Sequence, residues 1–331
     1  MNDPAFALAL AFVVALVYLA VLRLIDLNEK EPLWALALAL FLGAIGAAIT
    51  GAIVSPDFRE LDTFGEAITS EGTKFVAIAA TIAILEGVSR MRGWSEVNGL
   101  VDGIIYGAAV GLGFAVGEAF VRELEIGNTL ANQFDERSTL TTLWTTFVAG
   151  LSEGLFGAII GAAFGAALAA RTAVTRYLYP LAGLVLAFLA HAGYEEFATG
   201  NSLNDDQGFL RSLIALLLPI AFIAFLMIQG LARERKAIAH ELADEAEQGA
   251  VSEEELKLLS SPGARRKQYM GQISKGNFDG WLTSRSLHNR QVQLALAERR
   301  MRTTSNEDRK KEIGAEVHHL RASILEMKGA R

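Results

Sequence analysis

The chain has 331 residues, 52% of them hydrophobic, with 31 glycines, a mean hydropathy of +0.31 and a formal charge of −7. A water-soluble chain of this length rarely has that make-up, and the lack of cysteine excludes a disulfide framework and thiolate chemistry. The charge is split: residues 1–231 hold 11 Lys/Arg and 22 Asp/Glu, net −11, and residues 232–331 hold 19 and 15, net +4. The basic residues of the second part are interleaved with acids, so nucleic acid is not an expected partner. Their mild excess suits the cytoplasmic side of an anionic membrane.

A membrane span needs about 20 predominantly apolar residues. Three runs are clean: 4–22, 33–54 and 212–232. Four more are each broken by one ionisable residue: 75–85 runs into Glu86, 103–117 into Glu118, 138–170 contains Glu153, and 177–190 runs into His191. The expectation is an all-α, polytopic bundle of about seven transmembrane helices over residues 1–231. A charged, soluble helical tail follows over 232–331. Met1-Asn2-Asp3 carries no basic residue, so the first span does not read as a cleaved signal. With the N-terminus outside and the C-terminus in the cytoplasm, Arg23, Lys30, Arg90, Arg92, Arg171 and Arg176 fall in inner loops. The longer acidic loops 57–71, 123–136 and 195–206 then fall outside.

Residues four apart share a helix face. Gly107-x-x-x-Gly111, Gly113-x-x-x-Gly117 and Gly157-x-x-x-Gly161-x-x-x-Gly165 therefore make smooth strips where another backbone approaches closely. The fourth and fifth helices are expected at the centre of the bundle.

An ionisable group at bilayer depth costs several kcal/mol, so it faces the bundle interior and marks function by default. Helices three to six bring one each. His191-Ala-Gly-Tyr-Glu195 sets a base and a carboxylate one turn apart on one face, which suits two ligands of one metal ion or a base with its orienting acid. Phe114-Ala-Val-Gly-Glu118 sets an aromatic one turn below an acid. Glu86, Glu118, Glu153 and Glu195 cannot all carry charge at close range. Either a divalent metal gathers them or some stay protonated, and both states support hydrolysis.

At these residues the chain resembles the PrsW family of intramembrane metalloproteases. Asp26-Leu-Asn-Glu29-Lys-Glu31-Pro32 is similar to the family's acidic stretch before the second span. Glu86-Gly87-Val-Ser-Arg90 resembles its EExxK, Asp102-Gly-Ile-Ile-Tyr106-Gly107 its DGxxYG, and Gly113-Phe114-Ala-x-x-Glu118 its GFAxxEN. Ser152-Glu153 stands where members usually show a histidine, and His191-Ala-Gly-Tyr-Glu195 resembles the last histidine motif. Three positions depart: Gly87 replaces the second Glu, Ala119 the Asn, and Glu153 the histidine. The resemblance implies an endopeptidase that cuts a single-span membrane protein of the anti-sigma-factor type. It implies Glu86, Glu118 and His191 as catalytic residues. Glu86, Glu118, Glu153, His191 and Glu195 are then the ligands of a divalent metal, zinc being the first choice.

Depth is not uniform across these residues. From the inner helix ends, Glu118, Glu153 and His191 lie roughly 24, 27 and 22 Å along their helices, in the outer half, whereas Glu86 is only roughly 6 Å from Arg90. Either Arg90 and Arg92 sit deep beside Glu86, which is the expectation here, or Glu86 and Arg90 pair separately near the inner face. Asp26, Glu29 and Glu31 read as helix-capping acids ahead of Pro32.

In the tail, Ser252-Glu-Glu-Glu255 reads as a capping box, Ser261-Pro-Gly and Lys275-Gly-Asn as breaks, and 291–302 and 307–328 as helices. A role in regulation, partner binding or self-association is expected of it, or only that of a solvated cap. The partners expected overall are the bilayer and a transmembrane protein substrate, with a second copy or a cytosolic protein at the tail. Two other functions stay open: a catalytically inactive scaffold of the same family, and an ion or proton transporter using the buried acids as a relay.

Overall fold

A computed structural model describes residues 4–26, 28, 30–53, 63–93, 95–126, 139–170, 172–199, 206–247, 250–304 and 307–329. Among them are eleven helices and no strand: α1 (Pro4–Ile25), α2 (Leu33–Ile53), α3 (Thr63–Arg92), α4 (Leu100–Ile126), α5 (Thr139–Leu168), α6 (Ala173–Thr199), α7 (Asp206–Glu247), α8 (Glu253–Leu259), α9 (Pro262–Ser274), α10 (Phe278–Thr303) and α11 (Glu307–Gly329). Seven of these, α1 to α7, are long and apolar enough to cross a membrane. The chain is a multi-pass membrane protein with C-terminal helices beyond its last span.

The glycine strips explain the order of packing. A Cβ on Gly103, Gly107 or Gly111 would strike the backbone of Gly161, Gly157 or Glu153 on α5. A Cβ on Gly113 or Gly117 would strike Leu40 or Ala44 on α2. So α4 is held between α5 and α2, each contacting it backbone to backbone. Two thirds of the α4 and α5 spans is buried, against less than a third for α1, α6 and α7, which face lipid. The centre is filled by Ile104, Ile105, Tyr106, Phe156 and Ile160.

A polar layer closes the end of the bundle nearest the tail. Buried Tyr106 donates to Glu31 Oε2, and buried Asp102 accepts from Asn98 N–H just before α4 begins. Asn28 donates to Glu234 Oε2 (3.0 Å) and to the carbonyl of Leu231 (3.3 Å) on α7. The acids ahead of Pro32 thus do more than cap α2. Asp26 and Glu31 are buried, and Glu31 ties α2 to α4. Glu29 lies outside the described residues.

α7 runs unbroken for 42 residues, roughly 63 Å, about twice the thickness of a bilayer's hydrocarbon core. Its far end is part of the tail. Ile238 and Leu242 pack with Val251, Leu259, Val292 and Leu296, and a second apolar cluster joins α10 to α11 through Leu287, Leu294, Val317 and Leu320. The capping box forms as expected: Ser252 accepts from Glu255 N–H and Glu255 accepts from Ser252 N–H. Ser261 and Asn277 cap α9 and α10, with Gly276 at φ +70° between them. Here α10 starts thirteen residues earlier than its charge pattern suggests, because Leu287, Ser284 and His288 are buried.

Candidate active site

In the half of the bundle away from the tail, α3, α5 and α6 bring five ionisable side chains together. His191 on α6 is buried, and both its ring nitrogens meet carboxylates. Nδ1 is 2.7 Å from Glu71 Oε1, and Nε2 is 3.3 Å from Glu195 Oε1 and 4.0 Å from Glu153 Oε1. Lys74, with no exposed surface, donates to Glu71 Oε1 and to Glu153 Oε2, the latter at 2.5 Å. Glu71 is equally buried, whereas the Glu195 side chain is 24% exposed and forms the open edge of the cluster.

Aromatic rings wall it in. The Lys74 ammonium lies 4.9 Å from the ring centre of Phe114 on α4 and 5.6 Å from that of Phe156 on α5, where the ring faces attract a cation. Phe156 stacks on His191 at 4.8 Å, and Tyr194 meets the edge of Phe156 at 6.0 Å. Charge pairs inside such walls are barely screened. Glu153 is placed by its own helix packing, since the carbonyl of Glu153 is the atom that a side chain at Gly111 would strike.

Three of the residues expected at a common site, Glu153, His191 and Glu195, are therefore in one cluster. Glu118 stands half-buried on α4, one turn beyond Phe114 on the same face, roughly 6 Å further from the tail. Glu86 is elsewhere, which corrects the expectation of deep Arg90 and Arg92. It is twelve residues, roughly 18 Å, past Lys74 along α3, and 3.5 Å from Arg309 of the tail. Arg92 lies over Trp34 at 4.9 Å and within 3.3 Å of Glu96. The physical reason is depth: Glu86 belongs to the tail-side end of its helix, and the other acids do not.

Glu71 and Lys74 are the residues that the sequence reading missed. They precede the clean apolar run 75–85, where the sequence predicts an outer loop up to residue 71, but α3 begins at Thr63. The spacing held the signal. Glu71-Gly-Thr-Lys74 supplies an acid three residues before a true lysine, as EExxK requires. Glu86-Gly-Val-Ser-Arg90 has Gly in that acid position. The stretch that ends at Lys74, with Ser70 in the place of the first Glu, sits at the depth of His191.

The donor set suits a metal. Glu71 at Nδ1 fixes the imidazole so that Nε2 faces two carboxylates, the carboxylate–histidine arrangement that metal-binding histidines share. Glu71 Oε2 is buried and, among the described residues, has no hydrogen-bond partner. The cluster is not compact. Among the described residues, the set whose ligand atoms all lie within 4.8 Å of one another is His240, Glu241 and Asp244, near the far end of α7. There the Arg302 guanidinium already binds Glu241 (2.6 Å) and Asp244 (3.0 Å).

No curated protein and no solved structure matches the chain. Residues 31–228 match the family described as PrsW family intramembrane metalloprotease. That range takes in the cluster, the glycine strips, and Glu31, Asp102 and Tyr106 of the polar layer, and it covers more than half of the sequence. The chain belongs to the PrsW family of intramembrane metalloproteases.

Proposed function

We propose that this protein is an intramembrane endopeptidase whose site is the cluster around His191. The observation that carries this reading is a histidine clamped by Glu71 at one nitrogen and faced by Glu153 and Glu195 at the other, beside a buried lysine. His191 Nε2, Glu153 and Glu195 would hold a divalent cation such as zinc. When bound it supplies a polarised water and a Lewis acid for the scissile carbonyl.

The chain's own residues do the rest. Glu71 holds the Nδ1 proton and with it the ring orientation. Lys74 bridges Glu71 and Glu153, so two carboxylates share a dry space with a cation between them. Phe114 and Phe156 exclude bulk water, and Glu195 marks the side from which water and substrate enter. Glu118, at the rim, is the candidate to take the proton of the attacking water and pass it to the leaving amine. We infer that the tail is cytoplasmic, because Arg23, Lys30, Arg90 and Arg92 lie on its side of the bundle. The cut then falls near the outer face, in a single-span membrane protein.

A second reading has its own observation. Glu153 replaces the usual histidine, and its Oε2 is held by Lys74, so one of the carboxylates that would hold a metal is already paired with a cation. A non-catalytic relative that binds a membrane partner would look like this. Reconstitution with single-span peptides separates the two. A protease cuts at least one, and the cut stops with a chelator and with His191→Ala. A wild type that cuts none of a broad panel, while binding some of them, supports the second reading.

A further inference from the structure

We propose that the α9–α10 hairpin is a docking face for anionic phospholipid headgroups of the leaflet on the tail's side. The charge of the tail is concentrated there. Residues 262–290 hold Arg265, Arg266, Lys267, Lys275, Arg285 and Arg290 against the single acid Asp279, net +5, while the tail as a whole is net +4. The rest of the tail is thus slightly acidic, and its entire basic excess lies in this one hairpin.

The hairpin is tied to the membrane boundary. Buried Arg265 donates Nη1 to the carbonyl of Asn28, at 2.9 Å. Asn28 lies in the short link between the end of span α1 and the start of span α2. The neighbours of Arg265, Arg266 and Lys267, are exposed. Arg266 and Arg285 reach the same boundary electrostatically. Burial lowers the Lys30 ammonium, and Arg23, Arg285 and Arg266 push it the same way against Asp26. A fold that gathers like charges at a membrane edge leaves them a shared anionic partner.

Large apolar side chains stand on the same hairpin. Met270, Phe278 and Leu282 are each more than half exposed. Phe278 and Leu282 are one turn apart on α10, and Trp281 lies on that side with the Arg285 guanidinium 5.6 Å from its ring. Met270 is one turn from Arg266 on α9. Cations interleaved with Phe, Leu, Met and Trp are the make-up of a helix that lies in the headgroup region. The tether to Asn28 favours lipid over a soluble acidic protein, because it keeps this face at the bilayer.

The test uses the full chain in nanodiscs of phosphatidylcholine alone or with phosphatidylglycerol, read by hydrogen–deuterium exchange over 262–290. The expected result is exchange at least about three-fold slower in the anionic discs, with the difference erased by high salt. Arg266→Glu/Lys267→Glu and Phe278→Asp/Leu282→Asp should each remove the difference, while exchange around Leu294 and Leu320 stays slow and reports an intact tail. Equal exchange in both discs overturns the proposal. So does protection that depends on protein concentration instead of lipid charge, which would mean a second copy on this face.

Discussion

A lysine ammonium with no exposed surface, in a helix that crosses a bilayer, persists only where carboxylates receive it. Lys74 meets that condition twice, through Glu71 and Glu153. Replacing it by Met leaves both acids facing each other without a cation. The expected cost is about 3–5 kcal/mol of stability, read as a lower melting temperature in detergent. Adding Glu153→Gln to Lys74→Met should recover part of it, because one of the stranded charges then disappears. Glu86 behaves differently. Its partner is Arg309, and the pair is more than a quarter exposed, so Glu86→Gln should shift stability by less than about 1 kcal/mol. It should leave peptide cleavage within a factor of about two of wild type.

At the scale of elements, the approach of α4 to α5 sets where Glu153 stands. A valine at Gly111 would strike the carbonyl of Glu153. The helices must then part, at about 1–3 kcal/mol or more, and activity should fall further than stability because the carboxylate moves with its backbone. The glycine strips were legible from spacing alone, and so was the central place of α4 and α5. The start of α3 was not. Hydropathy marks only the part of a helix that meets lipid, and the polar turns carrying Glu71 and Lys74 look like loop until their partners on α5 and α6 are known. Tail breaks were readable for the opposite reason: Ser261, Gly276 and Asn277 act locally. The capping box also predicts a pH dependence. Burial alone would raise the Glu255 carboxyl, but Lys328 at 2.6 Å and the Ser252 N–H hold it below the usual carboxylate range. A depressed folded value means that this contribution is present near neutral pH and is lost as pH falls below ~4. Hydrogen exchange of α8 and the end of α11 should quicken there, and Glu255→Gln should flatten that part of the profile.

Over the whole molecule, two polar layers lie at opposite depths of one bundle. The layer near the tail, Asp26, Asn28, Glu31, Asp102 and Tyr106, joins loops to helices. Asp26 and Glu31 read as helix-capping acids in the sequence, and the contacts of this layer are those of a structural clamp. The layer away from the tail is the candidate active site. The seven spans, the all-helical class, the family and three of the clustered residues were visible in the sequence. The division between the layers was not, since it depends on which end of α3 each acid occupies. The tail reads both the bundle and its boundary, through Arg309 to Glu86, Arg265 to Asn28 and the continuous α7.

The proposed working residues lie around His191, at the α3 end marked by Glu71 and Lys74, and not at Glu86. The direct measurement is cleavage of one single-span peptide by the reconstituted protein and by Glu71→Gln, Glu153→Gln, His191→Ala and Glu86→Gln, each confirmed folded. The first three variants should lose at least about 100-fold in rate while Glu86→Gln keeps pace with wild type. Loss of cleavage in Glu86→Gln together with retention in His191→Ala would contradict this placement.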